Sequence, residues 1–486
     1  MATNWTIKDL EYWDARIQEK ARAFGLDCFS QEFEVCDHEQ MLGYMAYHGM
    51  PAHYPHWSFG KSYEKLKTLY SYGVTGLPYE MVINAAPSLA FLMRDNSLCM
   101  QILTIAHVYG HNDFFKNNFM FRDTRPELTI ANFKLRADRV RHYVEDPSIG
   151  QQKVEEILDA AHALSLQCRR DTAVRKLSRS EQQARVLADA IPPKDPYAGI
   201  HKPRAYQEPD LNRLPLEPEE DILLFLAENQ PYLSEWQKDL LQIVHEEAQH
   251  FIPQIETKIM NEGWASYWHH EIMNSLELPE ELHLEFLVYH NQVVRPHPGG
   301  LNPYHLGFRL WQDIRRRYDA PSAEEIASTG HPDKNGSDKI FEVRETDRDI
   351  SFLRRFLTQE LMRDMDLFEY HREQDQIVIS QVSDREHWEN VRDSLLHNVG
   401  MASVPIIRII DADYGHNRVL FMRHEHDGRD LQRAYLEKTL AYVRRLWGRR
   451  ALLETKVAGK RVTFFFDDEG FGQLRTENTE RHEQLE

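Results

Sequence analysis

Ser97-Leu-Cys-Met-Gln-Ile-Leu-Thr-Ile-Ala-His107-Val-Tyr-Gly-His111-Asn-Asp-Phe-Phe115 is an apolar run carrying two histidines four residues apart. On a helix at 100° per residue, His107 and His111 share a face with Met100, Leu103 and Phe114, so both imidazoles point into apolar surroundings. Asp95-Asn96-Ser97 supplies the start signal, and Asn118 returns a polar group to the histidine face one turn further on. A pair at i, i+4 lets two ring nitrogens reach one metal ion, as in the metalloprotease helix motif. Val108 stands where that motif has its general-base glutamate. The same residues also read as two core histidines satisfied by ordinary hydrogen-bond partners.

Beyond the midpoint, two acidic helical patterns complement this one. Over Trp236–Phe251, Glu247 falls in an apolar stripe with Leu240, Val244 and Phe251, whereas His245 points away. A carboxylate in such a stripe is costly unless paired, neutral or bound to metal. Pro253 is expected to interrupt the run, and Thr257-Lys-Ile-Met-Asn-Glu262-Gly-Trp-Ala-Ser-Tyr-Trp-His269-His270 begins another helix. There Glu262, Ser266, His269 and Met273 share a face. Glu262 is the candidate third ligand beside His107 and His111, the donor set of a glutamate-type zinc hydrolase, with zinc or another divalent metal as cofactor. Glu247 is the candidate proton acceptor. His269 lies roughly 10 Å along the axis from Glu262, which suits it to support a ligand or polarise a substrate carbonyl; Tyr267 is the alternative for the second role. Internal salt bridges or hydrogen-bonded pairs are the competing reading.

The surrounding chain is mostly helical. Thr6 can cap a helix over Ile7–Gly25 that keeps Leu10, Trp13, Ile17 and Ala21 on one face, and another helix is expected around Asp37–Tyr47. His53-Tyr-Pro-His56-Trp-Ser-Phe-Gly60-Lys61 reads as a loop, either lining a site or packed on itself. Charged helices follow to Ala190, then a proline-rich crossing segment over 191–218, and the turn-rich His297-Pro-Gly-Gly300 leads towards a helix through Trp311. After Tyr370 the character changes: Ile377-Val-Ile-Ser, Val404-Pro-Ile-Ile-Arg-Ile-Ile-Asp, Arg418-Val-Leu-Phe-Met-Arg and Arg461-Val-Thr-Phe-Phe-Phe read as strands. A helix over Asp430–Trp447 is expected to bury Leu431, Tyr435, Leu440 and Val443. His424-Glu-His426-Asp-Gly-Arg looks like a metal cluster, but strand alternation favours a polar turn. The expected fold is mainly α: a large helical domain of zincin-like architecture over 1–370, a small α+β domain over 371–471, and a disordered tail over 472–486.

A length of 486 residues favours more than one core. A net charge of −19, without a basic block, makes nucleic acid and anionic membranes poor partners. Four cysteines without CxxC spacing suit a reducing compartment, and neither a leader pattern nor a span-length apolar segment stands out, so a cytoplasmic location is expected.

The chain resembles the stage V sporulation protein R (SpoVR-like) family over nearly its whole length. The likeness is carried by Tyr54-Pro-His56-Trp-Ser-Phe-Gly-Lys61, His107-Val-Tyr-Gly-His111-Asn-Asp-Phe-Phe-Lys-Asn-Asn, Pro253 through His269, Asn302-Pro-Tyr and His424-Glu-His-Asp-Gly-Arg. It implies a part in sporulation, in forming the peptidoglycan spore cortex, and in bacteria without spores a stress or envelope role beside a serine protein kinase and a von Willebrand-type protein. Two functions follow as expectations: a zinc-dependent amide or peptide hydrolase using His107, His111 and Glu262, or a non-catalytic scaffold or regulator that binds a partner protein.

Overall fold

The computed structural model describes residues 5–72, 80–170, 174–191, 206, 208–296, 300–373, 376–382 and 387–474. Two compact units emerge, one from Met1–Arg141 with His250–Ser403, the other from His142–Gln249 with Val404–Glu486.

The first unit is built around the helix Leu98–Asn117, in which every residue from Gln101 to Phe115 is buried. A helix that is apolar almost all round has to be enclosed on every side. Ser97 caps it, its hydroxyl accepting from the Met100 amide at 3.2 Å. The helix Ile7–Ala23 packs beside it behind a Thr6–Asp9 capping box and buries Leu10, Trp13, Ile17 and Ala21. Its closest partner is the helix Lys258–Ser275, here called the acid helix, which also packs on Pro303–Asp319. Glycines set both crossings. A Cβ on Gly110 would lie 2.6 Å from the Ala265 Cα, and one on Gly263 would lie 2.3 Å from the Gly307 Cα. The backbones therefore touch where any larger residue would hold them apart.

Asp349, on the helix Asp349–Phe356, caps the acid helix from outside, its two carboxylate oxygens accepting from the Ile259 and Met260 amides at 2.9 Å each. The preceding helix, Glu235–Glu256, runs through Pro253 instead of stopping there. Only one intrahelical donor is lost, the helix ends three residues later, and the Pro253 carbonyl accepts from the Thr257 hydroxyl at 2.6 Å. The His53–Lys61 passage likewise becomes helical from Trp57, with His56 as N-cap. His53 and His56 are buried against the Phe59 ring.

A three-stranded sheet completes this unit on the N-terminal side. Strands β1 (Gln31–Cys36), β2 (Glu80–Ile83) and β3 (Ser88–Met93) lie in the order β1-β3-β2, with β1 parallel and β2 antiparallel to β3. Glu80 opens β2 opposite Leu92. Strands β4 (Phe368–Glu373) and β5 (Gln376–Val382) form a separate antiparallel pair.

The second unit contains a five-stranded sheet. Its strands are β6 (Ile407–Tyr414), β7 (Val419–His424), β8 (Ala451–Val457), β9 (Lys460–Asp467) and β10 (Gly470–Leu474), in the order β10-β9-β8-β7-β6. The parallel β7–β8 pair is joined through the helix Arg433–Trp447. That helix buries Leu436, Leu440, Val443, Leu446 and Trp447, and packs on both the sheet and the helix Gln151–Leu164. Tyr435, expected in the apolar face, is 68 % exposed, because Leu436 occupies the inward position beside it. This unit thus joins residues of the anticipated helical body to the C-terminal sheet. Of the crossing segment, 192–205 and 207 lie outside the described residues, as does most of the expected tail. The whole is mainly α with a C-terminal α+β portion, and among the described residues no helix is long and apolar enough to cross a membrane.

Candidate metal centre

The close crossing at Gly110 and Ala265 sets the histidine face of Leu98–Asn117 against the Glu262 turn of the acid helix. Three elements then bring donors to one point. His107 Nε2 lies 3.4 Å from Glu80 Oε1 and 3.8 Å from Glu262 Oε2, and His111 Nε2 lies 3.5 Å from that same Glu262 oxygen. Ligand atoms of Glu80, His107 and His111 all lie within 4.8 Å of one another. A tetrahedral ion with bonds of about 2.0–2.2 Å spaces its ligands about 3.3–3.6 Å apart. These residues therefore fit a divalent cation.

The remaining ring nitrogens are held from behind. His111 Nδ1 is 2.8 Å from Asn261 Oδ1, and His107 Nδ1 is 2.8 Å from His269 Nδ1. An amide oxygen only accepts, so the His111 ring donates from Nδ1 and turns Nε2 towards Glu262. Burial, then the neighbouring His111, hold His107 well below the ordinary histidine range; burial does the same for His269 and pushes His290 down to about 4. Burial therefore keeps these three rings neutral at physiological pH, and of them His107 faces the donor cluster.

The centre opens on a cavity of about 440 Å³. Met81, Val82, Phe115, Phe251 and Ile255 form apolar wall, while Glu80, His111, Glu262, Asn261, Gln254, His48, Lys258 and Tyr304 supply polar groups. The Tyr304 ring stacks 6.0 Å from that of His107, on a helix capped by Asn302.

Of the residues singled out from sequence, His107, His111, Glu262 and His269 come together here. Tyr267 does not line the cavity: five residues past Glu262, it faces another side of its helix, is buried against Trp264 and Trp268, and accepts from Arg315 through its hydroxyl. Glu247 belongs to the second unit, where it is buried, and is not among the cavity's lining residues. His424 and His426 each face a separate partner, Thr455 at 2.8 Å and Asp430 at 2.9 Å. No periodicity in the sequence singles out Glu80, Asn261 or His290. The strand pattern of Ser88-Leu-Ala-Phe-Leu-Met93 would have announced the sheet, but not that its partner strand opens on a carboxylate beside the histidines.

Comparison with known proteins places the whole chain in one family. Residues 4–404 match the family described as SpoVR like protein, and 405–458 match the SpoVR-like C-terminal domain. The chain belongs to the SpoVR family. A relative from Escherichia coli (strain K12), described as uncharacterized protein YcgB, is 35% identical over 489 residues, covering 93% of this chain and 92% of its own. No solved structure matches this SpoVR-family chain.

Proposed function

We propose that this SpoVR-family protein is a divalent-metal-dependent hydrolase acting on an amide or peptide bond, with zinc as the first candidate ion. The observation that carries the reading is the convergence of Glu80, His107 and His111, whose ligand atoms all lie within 4.8 Å of one another, with the Glu262 carboxylate 3.5 Å from His111 Nε2. His107, His111 and Glu80 hold the cation. Glu262, whose side chain keeps 19 % exposure against 8 % for Glu80, is the proton acceptor at the cavity wall, in place of Glu247. When bound, a divalent cation supplies Lewis-acid polarisation of the scissile carbonyl and lowers the pKa of an adjacent water.

The apolar wall excludes bulk water and seats the acyl side of the substrate. Tyr304 orients the carbonyl from beside His107. Glu262 takes a proton from the attacking water as its oxygen bonds to the carbonyl carbon, then returns that proton to the departing nitrogen as the carbon–nitrogen bond breaks. Tyr267 carries no role, and His269 acts through His107. In the cell, the family resemblance suggests a substrate in spore-cortex or envelope and stress physiology, such as a wall precursor or a regulatory protein, with the serine protein kinase and von Willebrand-type protein as partners.

The test is metal analysis of the purified protein and of its His107→Ala variant, followed by zinc-dependent cleavage of a panel of N-acylated peptide amides. One equivalent of metal in the parent protein and loss of loading in the variant is expected. Full metal loading in His107→Ala would remove this reading and leave the non-catalytic scaffold in its place.

A further inference from the structure

The cavity beside the donor cluster holds a cation of its own. Lys258 lines it from the first turn of the acid helix, and the residue is exposed. Its ammonium makes no ion pair or hydrogen bond among the described residues. Asp349 is near enough to feel that charge, but both oxygens of its carboxylate already accept from the Ile259 and Met260 amides. Gln254, in the last turn of the helix Glu235–Glu256, lines the same cavity, and its side-chain amide also has no hydrogen-bond partner among the described residues.

Charge and spacing together say what this corner would hold. Among the lining residues the acids are Glu80 and Glu262, and Lys258 is the one lysine. Two carboxylates offset a divalent cation, so the loaded cavity is left with the positive charge of Lys258 and suits a substrate carrying one negative charge. Lys258 stands four residues before Glu262, on the same face of the helix and about 6 Å away along its axis. In a substrate whose scissile amide lies at Glu262, a C-terminal carboxylate sits one residue, about 3.5 Å, beyond the scissile carbonyl. A charge-assisted hydrogen bond of about 2.8 Å covers the rest of the turn. A carboxylate one residue further on would lie about 7 Å away, past the lysine.

We infer that Lys258, with the Gln254 amide beside the same cavity, binds the free C-terminal carboxylate of the substrate, so that the enzyme removes a single amino acid from an N-acylated end. The inference rests on the hydrolase reading above and names its substrate class. In the step, water oxygen bonds to the acyl carbon and the carbon–nitrogen bond breaks. Glu262 passes the water proton to the departing nitrogen, and the products are an acyl carboxylate and a free amino acid. Lys258 keeps its proton throughout and acts as a point charge on the leaving residue.

The experiment compares N-benzoylglycine with N-benzoylglycinamide, which differ only in the terminal charge, on the zinc-loaded full chain. Benzoate release is expected to show kcat/KM about 10–100-fold higher for the acid, the range for a hydrogen bond to a charged group. Binding is read separately by calorimetry in the zinc-loaded Glu262→Gln variant, which lacks the proton acceptor. There the acid is expected to bind about 10–100-fold tighter than the amide. Adding Lys258→Met is expected to remove that difference, and adding Lys258→Arg to keep most of it. Equal handling of acid and amide by a chain that loads zinc and releases benzoate would overturn the carboxylate site and leave the hydrolase standing. An acid preference that survives Lys258→Met would place the carboxylate elsewhere and overturn it too, as would binding of neither compound. Failure to take up zinc would overturn the hydrolase reading itself.

Discussion

At the scale of single residues, the two carboxylates that meet His107 and His111 differ in what they can do. Glu80 comes from a strand edge and is the more enclosed; Glu262 comes from a helix turn that lines the cavity. Glu262→Gln keeps shape and removes the basic oxygen. It is expected to retain metal at near-parental stoichiometry while hydrolysis falls by about 10²–10⁴, the usual contribution of a general base. Glu80→Gln should instead lower metal loading, measured by atomic absorption after dialysis against chelator. Loss of metal in both variants, or in neither, would break the assignment of ligand and base. The basic set here was legible from the sequence only in part. His107, His111 and Glu262 announce themselves by helical spacing, whereas Glu80 sits in a short strand with no pattern of its own.

At the scale of elements, what makes the centre possible is the contact of two helix backbones. Gly110 lies between the two histidines in sequence and opposite Ala265 in space. Gly110→Ala would press a methyl into backbone at 2.6 Å, where neither side can yield without separating the helices. A destabilisation of about 1–3 kcal/mol is expected, together with weaker metal binding, because separation moves Glu262 away from both imidazoles. Chemical denaturation and metal titration on the same variant check the pairing of the two effects. Asp349 works on the same helix from its N-terminal end. Asp349→Ala orphans the Ile259 and Met260 amides and should cost about 1–2 kcal/mol by the same denaturation assay.

At the scale of the whole molecule, buried charge ties distant parts of the first unit together. Asp113 is fully buried, accepts two hydrogen bonds of 2.7 Å from Arg344, and also accepts from the Trp264 indole and the Asp27 amide. Burial pushes its carboxyl upward and the Arg344 guanidinium draws it back. Removing one partner leaves the other charged in the interior, so Asp113→Ala is expected to destabilise this unit by about 3–5 kcal/mol. The pH dependence of stability has its own source. His250 and His290 are each held at about 4 by burial, below the ordinary 6.5. The unfolded chain therefore binds more protons between these values, and stability falls as pH drops from about 6.5 towards 4, by up to about 1.4 kcal/mol per pH unit for each ring. Thermal melts across that range check the sign: a metal-free protein whose melting temperature rises on acidification would contradict it.

What the amino-acid sequence determined alone is what local spacing can encode. The buried Leu98–Asn117 helix, the capped Ile7–Ala23 helix and the strands β6, β7 and β9 all follow from periodicity and cap residues, because side-chain direction along one element is set by its own geometry. The helical stripe of Glu262 and His269 was legible for the same reason, and so was the family. The tertiary structure decided what lies across elements. It set Glu80 beside His107, passed the helix through Pro253, aimed Tyr267 at Arg315, and linked His290 to His269. Each of those outcomes depends on close packing between segments far apart in the chain, where two backbones meeting at a glycine choose the neighbours, and no periodicity within either segment records the meeting.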